Sequence, residues 1–344
     1  MLDRPPLHFE VITGGRSNIT YRVTDSVGNR CVLRRPPLGH VLATAHDMAR
    51  EHRIIGAVGK TAVPVPDVLA LCEDVEVNGA PFYVMSYVDG HVLATAEDAE
   101  LSLPDVASRR RIGAHIAEIM ADLHTVDVDA IGLGELARRE GFLDRQLKRW
   151  RGQWDQTKTR ELPDMDAAFD LLLAHKPAQR YTGIVHGDFR IGNMLAVVAG
   201  EPEGPTRVPA ARDHVAAVLD WELCTLGDVL ADVGYFLNYW ATGDDEELAS
   251  FVDPPPTAAG GFPSRDEIVE RYAARSGFDL SEVEYYRAFS YWRSAAIVEG
   301  VKRRYIEGVM ADDEVDPVVY DRRVVTLAAL SRQRITTLVG SGGS

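Results

Sequence analysis

The chain has 344 residues, 46% of them hydrophobic, and carries 37 Lys and Arg against 52 Asp and Glu for a formal charge of −15. Such content is ample for a packed core in one large or two moderate domains and excludes disorder as the main state. The acidic balance excludes a non-specific nucleic-acid or anionic-membrane binder, whose affinity rests on massed Lys and Arg, so any anionic ligand must be met by local cations. Cys31, Cys72 and Cys224 are odd in number and far apart. They fit neither a disulfide framework nor a zinc site and read as reduced core thiols of a cytoplasmic protein. The start, MLDRPPLHFEV, lacks the basic-then-apolar order of a signal peptide, and no apolar stretch approaches the ~18 residues of a spanning helix. The expectation is a soluble protein that is not exported.

In chain order, residues 8–35 alternate extended runs with turn signals (HFEVIT, GGRSN, ITYRVT, SVGNR, CVLRR), which predicts a three-stranded antiparallel meander. From Thr44 to Val58, the spacing of Met48, Ile55 and Val58 predicts a helix that also carries Glu51. Two more strands, VPDVLALCED and PFYVMSYV, close a β-rich portion near Val88. Beyond Asp89 the period becomes helical. After the Pro104-Asp105 start signal, Ile112, Ile116, Ile119, Met120 and Leu123 mark an amphipathic helix. Two short runs, TGIVHGD and AAVLDWE, read instead as strands that each end in an Asp. The Gly-, Pro- and charge-rich GEPEGPTRVPAARDH between them reads as a solvated loop, as does DPPPTAAGGFPS at 253–264.

The run HGDFRIGN, His186 to Asn193, is followed 32 residues after Asp188 by Asp220 in LDWE. Phosphoryl transfer needs this set: one carboxylate to orient and deprotonate a hydroxyl, and oxygen ligands to hold magnesium across the ATP phosphates. An Asp followed five positions later by an Asn has the spacing of a kinase catalytic loop, with a second metal-binding Asp further on. The bland alternative is that Asp188 and Asn193 make turn hydrogen bonds and Asp220 caps a helix. Arg190 stands where it could neutralise charge on a transferring phosphate, or it is an ordinary loop arginine. Gly14, Gly15, Ser17 and Asn18 form a turn whose small residues let backbone N–H groups approach phosphates, or an ordinary hairpin turn. GAVGKT at 56–61 has too few residues between its glycines for a Walker A loop, and GLGELA at 132–137 does not follow an apolar strand. No HExxH or CxxC supports a structural zinc. Trp150, Trp154, Tyr291 and Trp292 are helix-packing residues or walls of an acceptor pocket.

HGDFRIGN followed by LDWELCTLGDVLADVGYFL resembles the aminoglycoside phosphotransferase and choline kinase group, and most of all the kinase-like domains associated with acyl-CoA dehydrogenases. GGRSNITYRV, CVLRRPP and YYRAFSYWRSAAIVEGVKRR extend the resemblance over roughly residues 8–310. It implies an α+β, protein-kinase-like two-lobed fold, with a β-rich N-lobe, a hinge, a mainly helical C-lobe and a site in the cleft. The division it suggests is 1–88, a nucleotide-binding lobe including the hinge; 89–339, a helical lobe with catalytic loop and acceptor pocket; and a flexible tail over 340–344. It implies Asp188 as the base, Asn193 and Asp220 as magnesium ligands, His186 as a loop-holding residue, and Asp228 and Asp232 as acceptors of backbone N–H groups near the active loops. Arg34 takes the strand position usually held by Lys, and Glu51 matches its helix partner, or is a solvated carboxylate. Arg keeps the charge but not the shape. Ser86 and Val88 match the hinge that holds adenine through main-chain groups.

The function expected is an ATP- and magnesium-dependent kinase acting on a hydroxyl of a small molecule. The relatives point to a hydroxyacyl thioester or hydroxy acid, whose anionic groups would call on Arg287, Arg293, Lys302 and Arg303. A cationic amino alcohol or aminoglycoside is the alternative acceptor, and a nucleotide-binding pseudokinase the alternative function. A protein kinase is disfavoured because DWE is followed within a few residues by GDVLADVG, which leaves little room for a peptide-docking activation segment. Sequence leaves the oligomeric state open.

Overall fold

The computed structural model describes residues 4–12, 18–37, 47–204, 208–308 and 317–341. The first part of the chain forms strands β1 (His8–Val11), β2 (Ile19–Thr24) and β3 (Arg30–Arg35), helix α1 (Met48–Val58), β4 (Val68–Cys72), the short α2 (Val75–Asn78), β5 (Phe82–Ser86) and β6 (His91–Val92). Then come α3 (Ala96–Ser102), α4 (Val106–His124), α5 (Phe142–Thr157) and α6 (Pro163–Ala174). Six short strands follow: β7 (Thr182–Val185), β8 (Met194–Val197), β9 (Pro202–Glu203), β10 (Val208–Pro209), β11 (His214–Val218) and β12 (Thr225–Asp228). Helices α7 (Leu230–Tyr239), α8 (Arg265–Ser276), α9 (Val283–Ile306) and α10 (Pro317–Ser341) complete the described chain.

Two compact units are built from these elements. The β-rich one takes residues 1–92, 126–135 and 193–224, and the helical one takes 93–125, 136–192 and 225–344. One cut at 88/89 therefore does not describe the division, because two later segments of the chain return to the β-rich unit.

In the β-rich unit the expected meander forms, and the whole sheet runs antiparallel in the order β1-β2-β3-β5-β4. The β2–β3 turn is held by Asp25, whose carboxylate accepts from the N–H groups of Val27 and Asn29, while Gly28 supplies the left-handed φ of +92°. Asp47 caps α1 by accepting from Arg50 N, and Met48, Ile54, Ile55 and Val58 are each at most 2% exposed. A second sheet has the order β11-β8-β6. The segment between β8 and β11 is more than a loop. β9 pairs with β10, and Glu201 and Asp213 accept from Val198 N and Ala199 N. Local carboxylates there satisfy backbone donors that were expected to face water.

In the helical unit β7 pairs with β12, so TGIV and AAVL, expected as a pair of strands joined by a loop, lie in different sheets and different units. The short β8 and β12 were not foreseen, since MLAV and TLGD are too brief to show a period. Helix α4 begins at Asp105 as expected, its carboxylate accepting from Ser108 N, and its five marked apolar residues are at most 1% exposed. Helix α9 buries 14 of its 24 residues and packs against α5, α6, α7 and α10. A helix buried on nearly every side cannot show one apolar stripe. The loop at 253–264 is partly inside the fold: Thr257 donates to Ala241 O, and the buried Arg109 donates to Ala259 O. The flexible tail expected over 340–344 loses its first two residues to α10, where the Ser341 hydroxyl donates to Thr337 O. Among the described residues no helix is long and apolar enough to cross a membrane.

Close approach of α7 to α9 depends on Gly234, where an added Cβ would lie 2.5 Å from the Tyr286 carbonyl carbon. Backbone cannot yield as a side chain can, so Gly234→Ala is expected to lower stability by about 1–3 kcal/mol or more. Urea denaturation reads this, and an unchanged midpoint would show that the two helices have slack.

Candidate active site

The β-rich unit gathers one arginine and three carboxylates. Arg34 on β3 lies opposite Thr20 on β2 and Tyr83 on β5. Its Nε stands 3.1 Å from Glu51, its Nη1 donates to Thr20 Oγ1, and its Nη2 is 2.8 Å from Asp220 and 3.4 Å from Glu222. Glu51 projects from α1 and is 3% exposed, so it is not a solvated carboxylate. Burial lifts its pKa above the usual range, with Arg34 acting the other way. Asn18, also buried, donates to Glu222 at 3.1 Å. Gly14, Gly15 and Ser17 lie outside the described residues.

Asp220 is the one non-glycine with positive φ among the described residues, at φ +66° and ψ 64°. That conformation costs an L-residue roughly 1–2 kcal/mol, less for Asp than for bulkier types. The ladder between β8 and β11 pairs Met194 with Val218, and Leu219 N then donates to Asn193 O at 2.8 Å. Asn193 therefore sits across from the residue next to Asp220. Their oxygens are the hard donors that suit magnesium, which takes one or two protein oxygens and completes its shell with phosphate and water. Among the described residues no group of three His, Cys, Asp or Glu side chains could hold a metal by itself.

Of the two hinge residues, Ser86 has its N–H committed to Asp67 O at 2.8 Å, and its hydroxyl accepts from Asp67 N. Of its main-chain groups, only the carbonyl of Ser86 could then serve a ligand. Val88 follows the end of β5, beside Asp89, which Arg30 grips at 2.9 and 3.1 Å.

The helical unit holds the HGD loop. Asp232, 1% exposed on α7, accepts from His186 N at 2.5 Å and Gly187 N at 2.9 Å, while Arg293 donates to Gly187 O at 2.7 Å. Burial alone would raise the Asp232 pKa, but His124, His186 and the Gly187 N–H outweigh it and hold the carboxyl below its usual range. His186 is fully buried, accepts from Asp188 N and sets its ring edge-on to Phe189. Asp188 itself is held at both oxygens. The Tyr235 hydroxyl donates to one, and Arg190 Nε lies 3.3 Å from the other. Arg190 rests 5.9 Å from the Tyr239 ring, and Gly192 leaves room for its guanidinium, since a Cβ there would meet Nη1 at 2.5 Å.

Tyr235, Tyr239, Glu222 and Thr20 were not singled out in the sequence. The first two were legible in principle, because Asp232, Tyr235 and Tyr239 recur at spacings of three and four on one face of α7. Asp188 and Arg190 belong to the helical unit, and Asn193, Asp220, Arg34 and Glu51 to the β-rich unit.

The four cations expected to meet an anionic acceptor are occupied elsewhere. Arg287 pairs with Glu247 and Glu284, Lys302 with Asp321, and Arg303 with Glu307. Arg293 is spent on Gly187 O and lies over the rings of Trp150 and Tyr235. Buried charges need partners, and a mostly buried helix finds them within the fold.

An antiparallel-sheet N-lobe and a mainly helical C-lobe define an α+β fold of the protein-kinase-like class. The chain belongs to the phosphotransferase enzyme family, whose model matches residues 8–286. Acyl-CoA dehydrogenase family member 10 of Mus musculus is 35% identical over 309 residues, which cover 88% of this chain and 27% of that protein. The chain thus spans only about a quarter of the length of that relative. Among solved structures, a Ralstonia eutropha protein provisionally described as an aminoglycoside phosphotransferase is 31% identical, with a TM-score of 0.78 and coverage of 96% of this chain and 93% of that one. A variant of aminoglycoside phosphotransferase APH(4)-Ia bound to ADP and hygromycin B shares the fold at a TM-score of 0.57 and 15% identity, covering 98% of this chain and 95% of that one.

Two predictions follow from the buried charges. Removing one partner of the Arg34–Glu51 pair strands the other, so Arg34→Ala is expected to cost about 3–5 kcal/mol, and Arg34→Lys less, because charge survives and only the fork is lost. Chemical denaturation of both variants decides it; equal stabilities would remove the pair from the core's support. Asp228 is fully buried, and burial lifts its pKa to about 6. The folded state then binds a proton between pH ~4 and ~6 that the unfolded chain has released, so this residue's contribution to stability falls as pH rises through that window. At about 1.4 kcal/mol per pH unit the loss reaches up to ~3 kcal/mol. Asp228→Asn is expected to flatten that slope, as measured by melting at pH 4, 5, 6 and 7; parallel profiles would contradict it.

Proposed function

We propose that the protein is an ATP- and magnesium-dependent small-molecule kinase that transfers the γ-phosphoryl group of ATP to a substrate hydroxyl. The observation that carries this reading is the Asp188 carboxylate, oriented through both oxygens by Tyr235 and Arg190. Asp188 accepts the proton of the acceptor hydroxyl as that oxygen attacks the γ-phosphorus. The bond from phosphorus to the β–γ bridging oxygen breaks, and ADP leaves with its electron pair. Arg190 supplies positive charge toward the transferring group. The β-rich unit is the nucleotide-binding part, with Arg34 on the phosphates and the main chain at Ser86 and Val88 on the base. Asn193 and Asp220 would hold magnesium, which when bound neutralises phosphate charge. Bound ADP in the APH(4)-Ia structure supports the nucleotide assignment.

The kinship with acyl-CoA dehydrogenase family members supports a hydroxyacyl thioester or related hydroxy acid as acceptor. The three cysteines form no disulfide, which suits a cytoplasmic setting.

Asp188→Ala is expected to lower turnover by about 10²- to 10⁴-fold while leaving ATP affinity nearly unchanged. Asp220→Ala is expected to abolish the magnesium dependence of ATP binding. Coupled ADP-release assays and calorimetry with and without magnesium test both. Near wild-type turnover in the first variant removes Asp188 from the mechanism, and a surviving magnesium effect in the second removes Asp220 from the metal site.

A further inference from the structure

Strand β1 ends the five-stranded sheet of the β-rich unit, with β2 on one side of it and an open edge on the other. All four of its residues are exposed, and from Leu7 to Ile12 four large apolar side chains face water: Leu7 at 43%, Phe9 at 53%, Val11 at 52% and Ile12 at 42%. An exposed apolar edge is a template for another strand, and proteins usually blunt it with a bulge or a break in register. The opposite edge is blunted in that way, since the register of β4 slips between Val68 and Ala70. β1 runs beside β2 from His8 to Val11 without a slip.

Just past β1, Ile12 N donates to Thr20 O at 2.8 Å. Bonded positions alternate in an antiparallel ladder, so His8, Glu10 and Ile12 turn their main-chain groups to β2, and Leu7, Phe9 and Val11 turn theirs to the open edge. A further strand bonds through those three. When that strand is a second β1, running antiparallel, few registers meet this condition. Centring on Phe9 sets Phe9 against Phe9, Leu7 against Val11, and His8 against Glu10 on both sides of the axis. Centring on Glu10 sets two carboxylates face to face, which destabilises a strand pair. Centring on His8 leaves Glu10 facing Pro6, and centring on Val11 leaves it facing Ile12. The Phe9 register gives each Glu10 an imidazole, beside the Arg22 on β2 that already pairs with it. On the other face Phe9 stands edge-on to Tyr21 at 6.5 Å, which carries the apolar row of Leu7, Phe9 and Val11 onto β2.

We propose that the open edge of β1 is an interface with a second copy of this chain, the two β1 strands pairing antiparallel about Phe9 so that the two sheets join into one. About six N–H···O bonds form across the axis, and the apolar rows of the two copies meet. A strand of another protein would find the same main-chain groups but not the reciprocal His8–Glu10 pairs, and these pairs favour a copy of the chain. Because each copy offers the same patch, the contact closes at two and does not propagate into a filament. Leu7 to Ile12 is far fewer than the roughly 20–30 residues a side of a standard interface, so the dimer exchanges with monomer at micromolar concentration or above.

The test is sedimentation equilibrium of the full chain from about 1 μM to about 1 mM, where a monomer–dimer equilibrium is expected. Phe9→Asp sets two carboxylates against each other at the axis, and Phe9→Pro deletes an outward N–H while sparing every bond to β2. Each should weaken the dimer by about tenfold or more. His8→Glu, which opposes Glu10 with a like charge, should also weaken it, and His8→Lys should tighten it. The register is read by cross-linking with the half-exposed Cys72 changed to Ser. Phe9→Cys should then oxidise to a covalent dimer, because opposed Cα atoms of a bonded pair lie about 5.5 Å apart, whereas Val11→Cys, opposite Leu7, should not. Urea midpoints of the same variants separate a lost interface from a lost fold, and His8→Lys keeps the test readable if Phe9→Asp unfolds. A monomer at every concentration, a dimer indifferent to the β1 variants, or cross-linking at Val11→Cys in place of Phe9→Cys overturns the proposal. So does a monomer that takes up an added extended peptide along β1, which would assign the edge to a foreign strand.

Discussion

Asp232 is a carboxylate with 1% of its surface exposed that accepts two consecutive backbone N–H groups, those of His186 and Gly187. A buried charge of this kind costs several kcal/mol unless hydrogen bonds replace its water. Here the two amides do so, and His124 stands 3.5 Å away. The turn this fixes is local. Gly187 takes φ +87°, and the chain turns sharply out of β7 with Asp188 at its tip. Arg293 grips the other side of the same peptide, and Tyr235, one helical turn beyond Asp232, holds the Asp188 carboxylate. The aim of Asp188 is thus set by α7 and α9 together with its loop neighbours His186 and Arg190.

Where a residue's role follows from its local pattern, the sequence was readable. The meander at 8–35, the helix bearing Met48, Ile55 and Val58, and the start of α4 at Asp105 all rest on periods and caps that act within a few residues. The HGD loop and the later Asp stand out in the same way, by spacing along the chain, and their chemistry is the part proposed above. Asp232 and Asp228 were also expected to receive backbone N–H groups, and they accept from Gly187 and Leu230 respectively.

What escaped the sequence depends on partners far along the chain. Arg34 meets Asp220 across 186 residues, and Arg287 meets Glu247 across 40. A run of basic residues on α9 therefore looked like a ligand-binding surface, when burial had already given most of its charges internal partners. The two strands ending in Asp were misjudged as a joined pair for a related reason. Which strand lies beside a four-residue strand is decided by the core around it, and nothing in its own composition states the choice.

The left-handed backbone at Asp220 also bears on how the chain can change over time. Glycine adopts that conformation without the clash of a Cβ, but replacing the aspartate would also take from Arg34 a partner at 2.8 Å. A lineage drifting at this position would trade an easier backbone angle against the loss of that ion pair. The aspartate thus ties one backbone angle to the charge balance of the β-rich unit.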